Sequence, residues 1–447
     1  MPPFGMRHLA LSLALSAALS PLSAQTQQPD PVSTSVSALG WMQGTPPAAD
    51  KQILIEQGNY LAYPRNRWSF SHMRELLPTS NVWRGARAPS PLPAAKQAID
   101  ATQVRFTPLE GAGEPMDFAQ MLTRTYTDGV LVLHQGQVVY EQYFGALKAE
   151  RPHLVWSVTK SFVGTLAAMM AADGSIDPAA PVTRYLPELA GTAFADATVR
   201  QLMDMRVGVN YSEDYSDPDA EFWTYIRAIR MLPQAAGKTG PQDIYSFAQT
   251  MQKEGEHGSF AYKTVNTEVL AWVLRRVSGK TMAELLSERI WQPMGAEQDA
   301  YFIVDRQGTE MAGAGLNATV RDLARFGELM RNGGRAQGQQ IIPAAVVNGI
   351  AQGGERAAYL RAGSSPTAME GRSYKDQWWI TNDEHGAYMA RGIHGQSIFI
   401  DPQADMVIVR LASQPTAFSR ASDPLYFPAY RAMAQTLMQR RSVQTAR

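Results

Sequence analysis

The chain has 447 residues, of which 45% are hydrophobic and 18% charged, and Lys+Arg and Asp+Glu are equal at 41 each. That length is enough for a sizeable core, expected as two lobes plus an extension. Charge neutrality leaves no footprint for nucleic acid or an anionic membrane. The sequence has no cysteine, which excludes disulfides, thiolate nucleophiles, cysteine-ligated zinc and a lipidated cysteine.

In chain order, residues 1–24 read as a signal peptide. Arg7 and His8 precede the apolar run Leu9–Leu22, and Ser23-Ala24-Gln25 offers small residues for cleavage. The run is short for a bilayer span, so the expected location is periplasmic or secreted, with no membrane association after removal. Residues 25–118 are irregular and Pro-rich and read as an N-terminal extension wrapping the body, which occupies 119–447.

Val130–His134 and Val138–Tyr140 flank Gln135-Gly136-Gln137, a strand–turn–strand signal. Residues 157–172 carry apolar residues at helical spacing. About 175–300 reads as a mostly helical lobe with long loops, including a helix over 265–277 and a capping box at Thr281/Glu284. A helix starting at Thr319 ends near Gly333-Gly334, Ser397–Ile400 and Met406–Val409 form a second hairpin, and a last helix covers about 426–441. Strands at both ends with helices between predict an α/β (α+β) fold, in which one antiparallel sheet is built from both ends of the body.

The chain lacks G-x-S-x-G and H-E-x-x-H, so an α/β-hydrolase elbow and a zinc hydrolase are set aside, and no metal or other cofactor is expected. Ser157-Val158-Thr159-Lys160 stands out. Ser157 opens a helix, where backbone N–H groups face an oxyanion, and Lys160 follows one turn later on the same face. Serine needs a base, and bringing lysine down to about 8 takes roughly 3 kcal/mol, within reach of burial. A phenol beside the amine lets the two share one proton around the serine. By itself the motif reads more readily as an N-cap serine with an exposed lysine.

Ser157–Lys160, followed by Phe260-Ala261-Tyr262-Lys263-Thr264 before a helix, resembles the first two motifs of class C β-lactamases and related penicillin-recognising esterases. The order of Tyr185-Leu186-Pro187, Gln292-Pro293-Met294-Gly295 and Asp322–Gly327 agrees. Trp378-Trp379 and Gly392-Ile393-His394-Gly395-Gln396 are most similar to the 6-aminohexanoate-dimer hydrolases of that family. The resemblance implies Ser157 as nucleophile, Lys160 and Tyr262 as acid–base pair, and Ser157 N–H with Ile393 N–H as oxyanion hole. It also makes Gly392, His394, Asn266 and Trp378 candidate substrate contacts.

The family's third motif, Lys-Thr-Gly, occurs literally at Lys238-Thr239-Gly240, but it precedes Tyr262 in a polar, Pro-flanked stretch. Ala390-Arg391-Gly392-Ile393 is the better equivalent. Ala390 then replaces the lysine that recognises a β-lactam carboxylate, and Thr264 replaces the second motif's asparagine. The expected function is hydrolysis of a small-molecule ester or linear amide through an acyl-serine. The alternatives are a β-lactamase or D-alanyl-D-alanine peptidase, and a non-catalytic binding or scaffold protein.

Overall fold

The computed structural model describes residues 28–109, 113–234, 237, 239–361, 371–418 and 422–445. The segment read as a signal peptide and Lys238 lie outside these residues. The centre is a seven-stranded antiparallel sheet. Its strands are β1 (Thr127–His134), β2 (Gln137–Tyr143), β3 (Ser373–Lys375), β4 (Trp378–Ile380), β5 (Tyr388–Gly392), β6 (Gln396–Asp401) and β7 (Met406–Ala412). Their order is β3-β4-β5-β6-β7-β1-β2. The sheet closes where β7 pairs with β1, Val407 opposite Leu133 and Val409 opposite Leu131. At the β1–β2 turn, Gln135 and Gly136 have φ of 53° and 76°, the left-handed pair that matches the twist of a two-residue hairpin.

Alternation along the strands sorts side chains into two cores. Leu131, Leu133, Ile398, Ile400, Val407 and Val409 face one core, shared with helices α1 (Val158–Ala172), α2 (Val265–Ser278) and α3 (Val320–Arg331). Val130, Val132, Phe399, Met406 and Ile408 face the other, closed by Phe118, Tyr430 and Met433. Tyr430 and Met433 belong to α4 (Asp423–Thr445). With both faces covered, β1 is a nearly unbroken apolar run. Thr281 and Thr319 cap their helices as their spacing suggested.

A second, four-stranded sheet joins Thr79–Val82, Ala300–Ile303, Leu316–Ala318 and His153–Leu154 in that order. Its strands are two to four residues long and come from distant segments, too short for a period to show. Residues of the N-terminal segment reach the body's centre. Leu154 N–H donates to Phe70 O at 2.7 Å, and Asn66 Nδ2 donates to Ser413 O and Gln414 O.

One buried side chain ties three parts of the body together. Gln377 donates to Leu202 O at 2.8 Å and Met203 O at 3.1 Å and accepts from Thr267 of α2 at 2.8 Å. Its own carbonyl accepts from Ser161 of α1 at 2.8 Å. A Cβ on Gly164 would lie 2.0 Å from Asp376 O, so only glycine lets α1 pass so close to this turn.

Candidate active site

Ser157 sits at the mouth of α1 with φ −67° and ψ −4°, and its hydroxyl makes no capping bond to the helix. The residue before it, Trp156, has φ 49°. A bulky aromatic in the left-handed region is rare and costs about 1–3 kcal/mol, the kind of strain that concentrates at functional sites. Contacts on both sides hold it there. Thr159 Oγ1 donates to Trp156 O at 2.6 Å, and the Trp156 ring lies edge-on to Phe70 with centroids 5.6 Å apart.

Lys160 is 1% exposed and its Nζ contacts three oxygens, Ser157 Oγ at 3.0 Å, Thr264 Oγ1 at 3.0 Å and Gly313 O at 2.7 Å. Burial draws its pKa down to about 8, against the opposing charges of Glu213 and Glu268. The Tyr262 ring centre lies 5.1 Å from the same nitrogen. Burial, reinforced by the charge of Glu213, pushes the phenol well above its usual value, with Ser157 and Arg391 pulling the other way. The two partners are driven apart, the amine toward losing its proton near neutrality and the phenol toward keeping it.

The end of β5 runs along the Ser157 backbone. A Cβ on Gly392 would lie 2.5 Å from Val155 O and 3.1 Å from Ser157 N, so the strand approaches that closely only with glycine there. Ile393 follows directly, leading a short turn in which His394 has φ 60°. His394 Nδ1 donates to Gln414 O at 2.7 Å, its ring packs against Phe70 and Trp156, and burial lowers its pKa to about 4. Its chemistry is spent on holding the turn as a neutral ring.

Two of the expected substrate contacts lie in the interior. Asn266 is fully buried in α2 with its amide against Met205, and the side chain that meets Lys160 is Thr264 instead. Trp378 is fully buried and donates to Thr165 of α1 at 3.1 Å. Its neighbour Trp379 faces the site, stacked on Tyr262 with ring centroids 5.3 Å apart. Ala390 is fully buried in the core shared with α1. Arg391 points the other way, donating to both carboxylate oxygens of Asp423 at 2.7 and 2.8 Å.

Sequence reasoning missed Glu213, Glu268 and Gly313. Glu213 accepts from Thr264 N and Thr264 Oγ1, each at 2.7 Å, and from Tyr215 at 2.7 Å. Glu268 is 1% exposed and accepts from Gly313 N at 2.6 Å, from Ala312 N at 3.2 Å and from Tyr225. A readable signal existed for Glu268, a charge on the apolar helix face of Val265, Val269 and Trp272. None marks a loop carbonyl such as that of Gly313.

A helix-start serine behind a strained residue, a buried amine and a high-pKa phenol on an antiparallel sheet flanked by helices define a class. A family model described as Beta-lactamase matches residues 118–427, and the chain belongs to that family as a serine-type hydrolase. It is 39% identical to 6-aminohexanoate-dimer hydrolase of Paenarthrobacter ureafaciens, across 80% of this chain and 88% of that protein. A solved Bacillus anthracis structure assigned as a 6-aminohexanoate-dimer hydrolase has a TM-score of 0.79 at 33% identity, covering 88% of this chain and 99% of that one. EstCE1, a hydrolase with promiscuous acyltransferase activity, shares the fold with a TM-score of 0.53 at 19% identity, covering 71% and 98%.

Proposed function

We propose that the protein hydrolyses small esters or linear amides through an acyl-enzyme on Ser157. The observation that carries this reading is the buried Lys160 amine 3.0 Å from Ser157 Oγ, with a pKa drawn down to about 8. Neutral Lys160 takes the Ser157 proton as Oγ bonds to the substrate carbonyl carbon and the carbonyl electrons move onto oxygen. Ser157 N–H and Ile393 N–H meet that oxyanion, an arrangement supported by the close run of Gly392 beside Ser157 N. When the C=O bond reforms, the leaving alkoxide or amine receives the Tyr262 proton, and the Lys160 ammonium reprotonates Tyr262. Water then attacks the ester with the same groups reused.

The aminohexanoate-type amide belongs to the relatives named above, and it is proposed here as one substrate class beside short esters. A substrate without a strong anionic handle suits the site, because Ala390 is buried and Arg391 is engaged by Asp423. We also propose export of the chain, from the leader-like residues 1–24. N-terminal sequencing of the protein recovered outside the cytosol tests this, and an intact Met1 there would refute cleavage.

The nucleophile is tested with a fluorophosphonate probe and mass spectrometry of the labelled peptide. Wild type is expected to be labelled on Ser157, and Ser157→Ala to lose both labelling and hydrolysis of p-nitrophenyl esters while staying folded. Retained hydrolysis in Ser157→Ala would remove Ser157 from the mechanism.

A further inference from the structure

A base is useful only if its lone pair faces the proton it must take. Around Lys160 the direction of that lone pair is decided by groups that never touch the substrate. Gly313 O is a carbonyl and only accepts, so one Lys160 N–H is committed to it. Thr264 carries a single hydroxyl proton, and this goes to Glu213 Oε1 at 2.7 Å. Toward Lys160, therefore, the Thr264 oxygen also only accepts, at 3.0 Å. A neutral amine has two N–H bonds, and both are now used. Its lone pair is left with one neighbour, Ser157 Oγ.

Both acceptors are themselves locked by carboxylates. Glu213 grips Thr264 twice, through the hydroxyl and through the backbone N–H. Glu268 holds the N–H of Gly313 at 2.6 Å, and Tyr225 in turn donates to Glu268. A Cβ on Gly313 would lie 2.5 Å from Thr264 Cγ2 and 3.0 Å from Glu268 Oε1. The two anchored acceptors thus pack against each other, and neither can swing away from the amine.

We propose that Glu213 is a positioning residue which, by holding the only proton of Thr264, makes Thr264 an obligate acceptor and so aims the Lys160 lone pair at Ser157. Glu268 anchors the Gly313 N–H and so helps hold the carbonyl of the same residue in place. This rests on the assignment of Lys160 as the base. The cost of the arrangement is that two negative charges favour the ammonium form, and burial offsets them. The other titratable groups here are Tyr262, on the residues leading into α2, with Arg391 behind it, Tyr211 and Tyr215 beside Glu213, and Tyr225 beside Glu268.

Glu213→Gln separates aim from bulk. The new amide oxygen must accept from Thr264 N–H, and the amide nitrogen then donates to Thr264 Oγ1. The freed Thr264 proton turns to the Lys160 lone pair, which no longer faces Ser157. With p-nitrophenyl butyrate, kcat is expected to fall at least tenfold, out of the roughly 10²–10⁴-fold that a positioned base supplies, with KM within about twofold. Removing a negative charge also releases the Lys160 proton more easily, so the acid limb of kcat/KM moves to lower pH. The limb follows the lost charge alone, whereas a merely structural glutamate would not lower kcat at unchanged KM.

Thr264→Val and Thr264→Ser carry the test if Glu213→Gln does not fold. Thr264→Ser keeps the hydroxyl and is expected to keep kcat within about threefold, whereas Thr264→Val loses at least tenfold. Near-UV circular dichroism checks both folds. Equal kcat for the two Thr264 variants, or a Glu213→Gln enzyme with wild-type kcat, overturns the inference while Ser157-dependent activity persists. If Ser157→Ala itself retains activity, the underlying assignment of the site falls instead, and the inference with it.

Discussion

Gly392→Ala offers a sharp test of the oxyanion hole, because the residue's backbone is not the issue. Gly392 has φ −134° and ψ 154°, extended values that alanine adopts freely, so any effect comes from the added methyl. That methyl would meet Val155 O at 2.5 Å, where ordinary contact begins at 3.4 Å. Val155 N is tied to Leu316 O at 3.0 Å, so relief of the clash requires the Gly392 end of β5 and Val155 to separate by about 0.9 Å. The separation carries Ile393 N–H away from the position opposite Ser157 N–H. A displacement near 1 Å in a positioned group costs about 10²-fold, and loss of one oxyanion donor costs about 10²–10³-fold in kcat, or roughly 2.7–4 kcal/mol. The expected kcat for p-nitrophenyl acetate is therefore lower by about a hundredfold. The thermal midpoint should fall only modestly, since overpacking costs about 1–3 kcal/mol. A variant within threefold of wild-type kcat would show that β5 does not supply the second donor.

Three further outcomes follow from the same site. The free-enzyme profile of kcat/KM should rise with pH through about 8, since Lys160 must lose its proton to act and burial brings that loss to about 8. A limb near 10, the value of an ordinary lysine, would exclude the buried amine as base. Lys160→Ala and Tyr262→Phe should each lower kcat by several orders of magnitude, with the double variant little worse than either single one. Losses that multiply would mean the two do not share one proton path. Short p-nitrophenyl esters should be turned over with higher kcat/KM than nitrocefin. The missing cationic contact to a lactam carboxylate is worth roughly 1.5–3 kcal/mol, and a preference for nitrocefin would point to a charge other than Arg391 in the cleft.

The β1–β2 hairpin, α1 and the capped helices were legible because their information is local, in a period, a turn pair or a cap at fixed spacing. Ser157, Lys160 and Tyr262 were legible because a one-turn motif and a tyrosine ahead of a helix can be read without coordinates. Trp378 and Trp379 mark the boundary of that legibility. Alternation says that they face opposite sides, but which side is the site depends on where α1 packs. Asn266 lies two residues beyond Thr264, roughly 200° around the helix, so proximity in sequence to the motif placed it on the wrong face. Glu213, Gly313 and the second sheet escaped for a different reason. Their roles exist only between segments, where no local pattern records the pairing.

The closing of the sheet by β7 against β1 has a consequence for the order of events during synthesis. The nucleophile, its amine and the phenol all emerge from the ribosome before β5 to β7 do, yet β5 carries the second oxyanion donor proposed here. A nascent chain ending before Tyr388 holds every group that handles the proton and lacks the strand that completes the hole. Pairing β1 with β7 also demands a long loop closure, which slows folding relative to local pairings. On the proposed mechanism, full activity is therefore expected only once the last hairpin has docked.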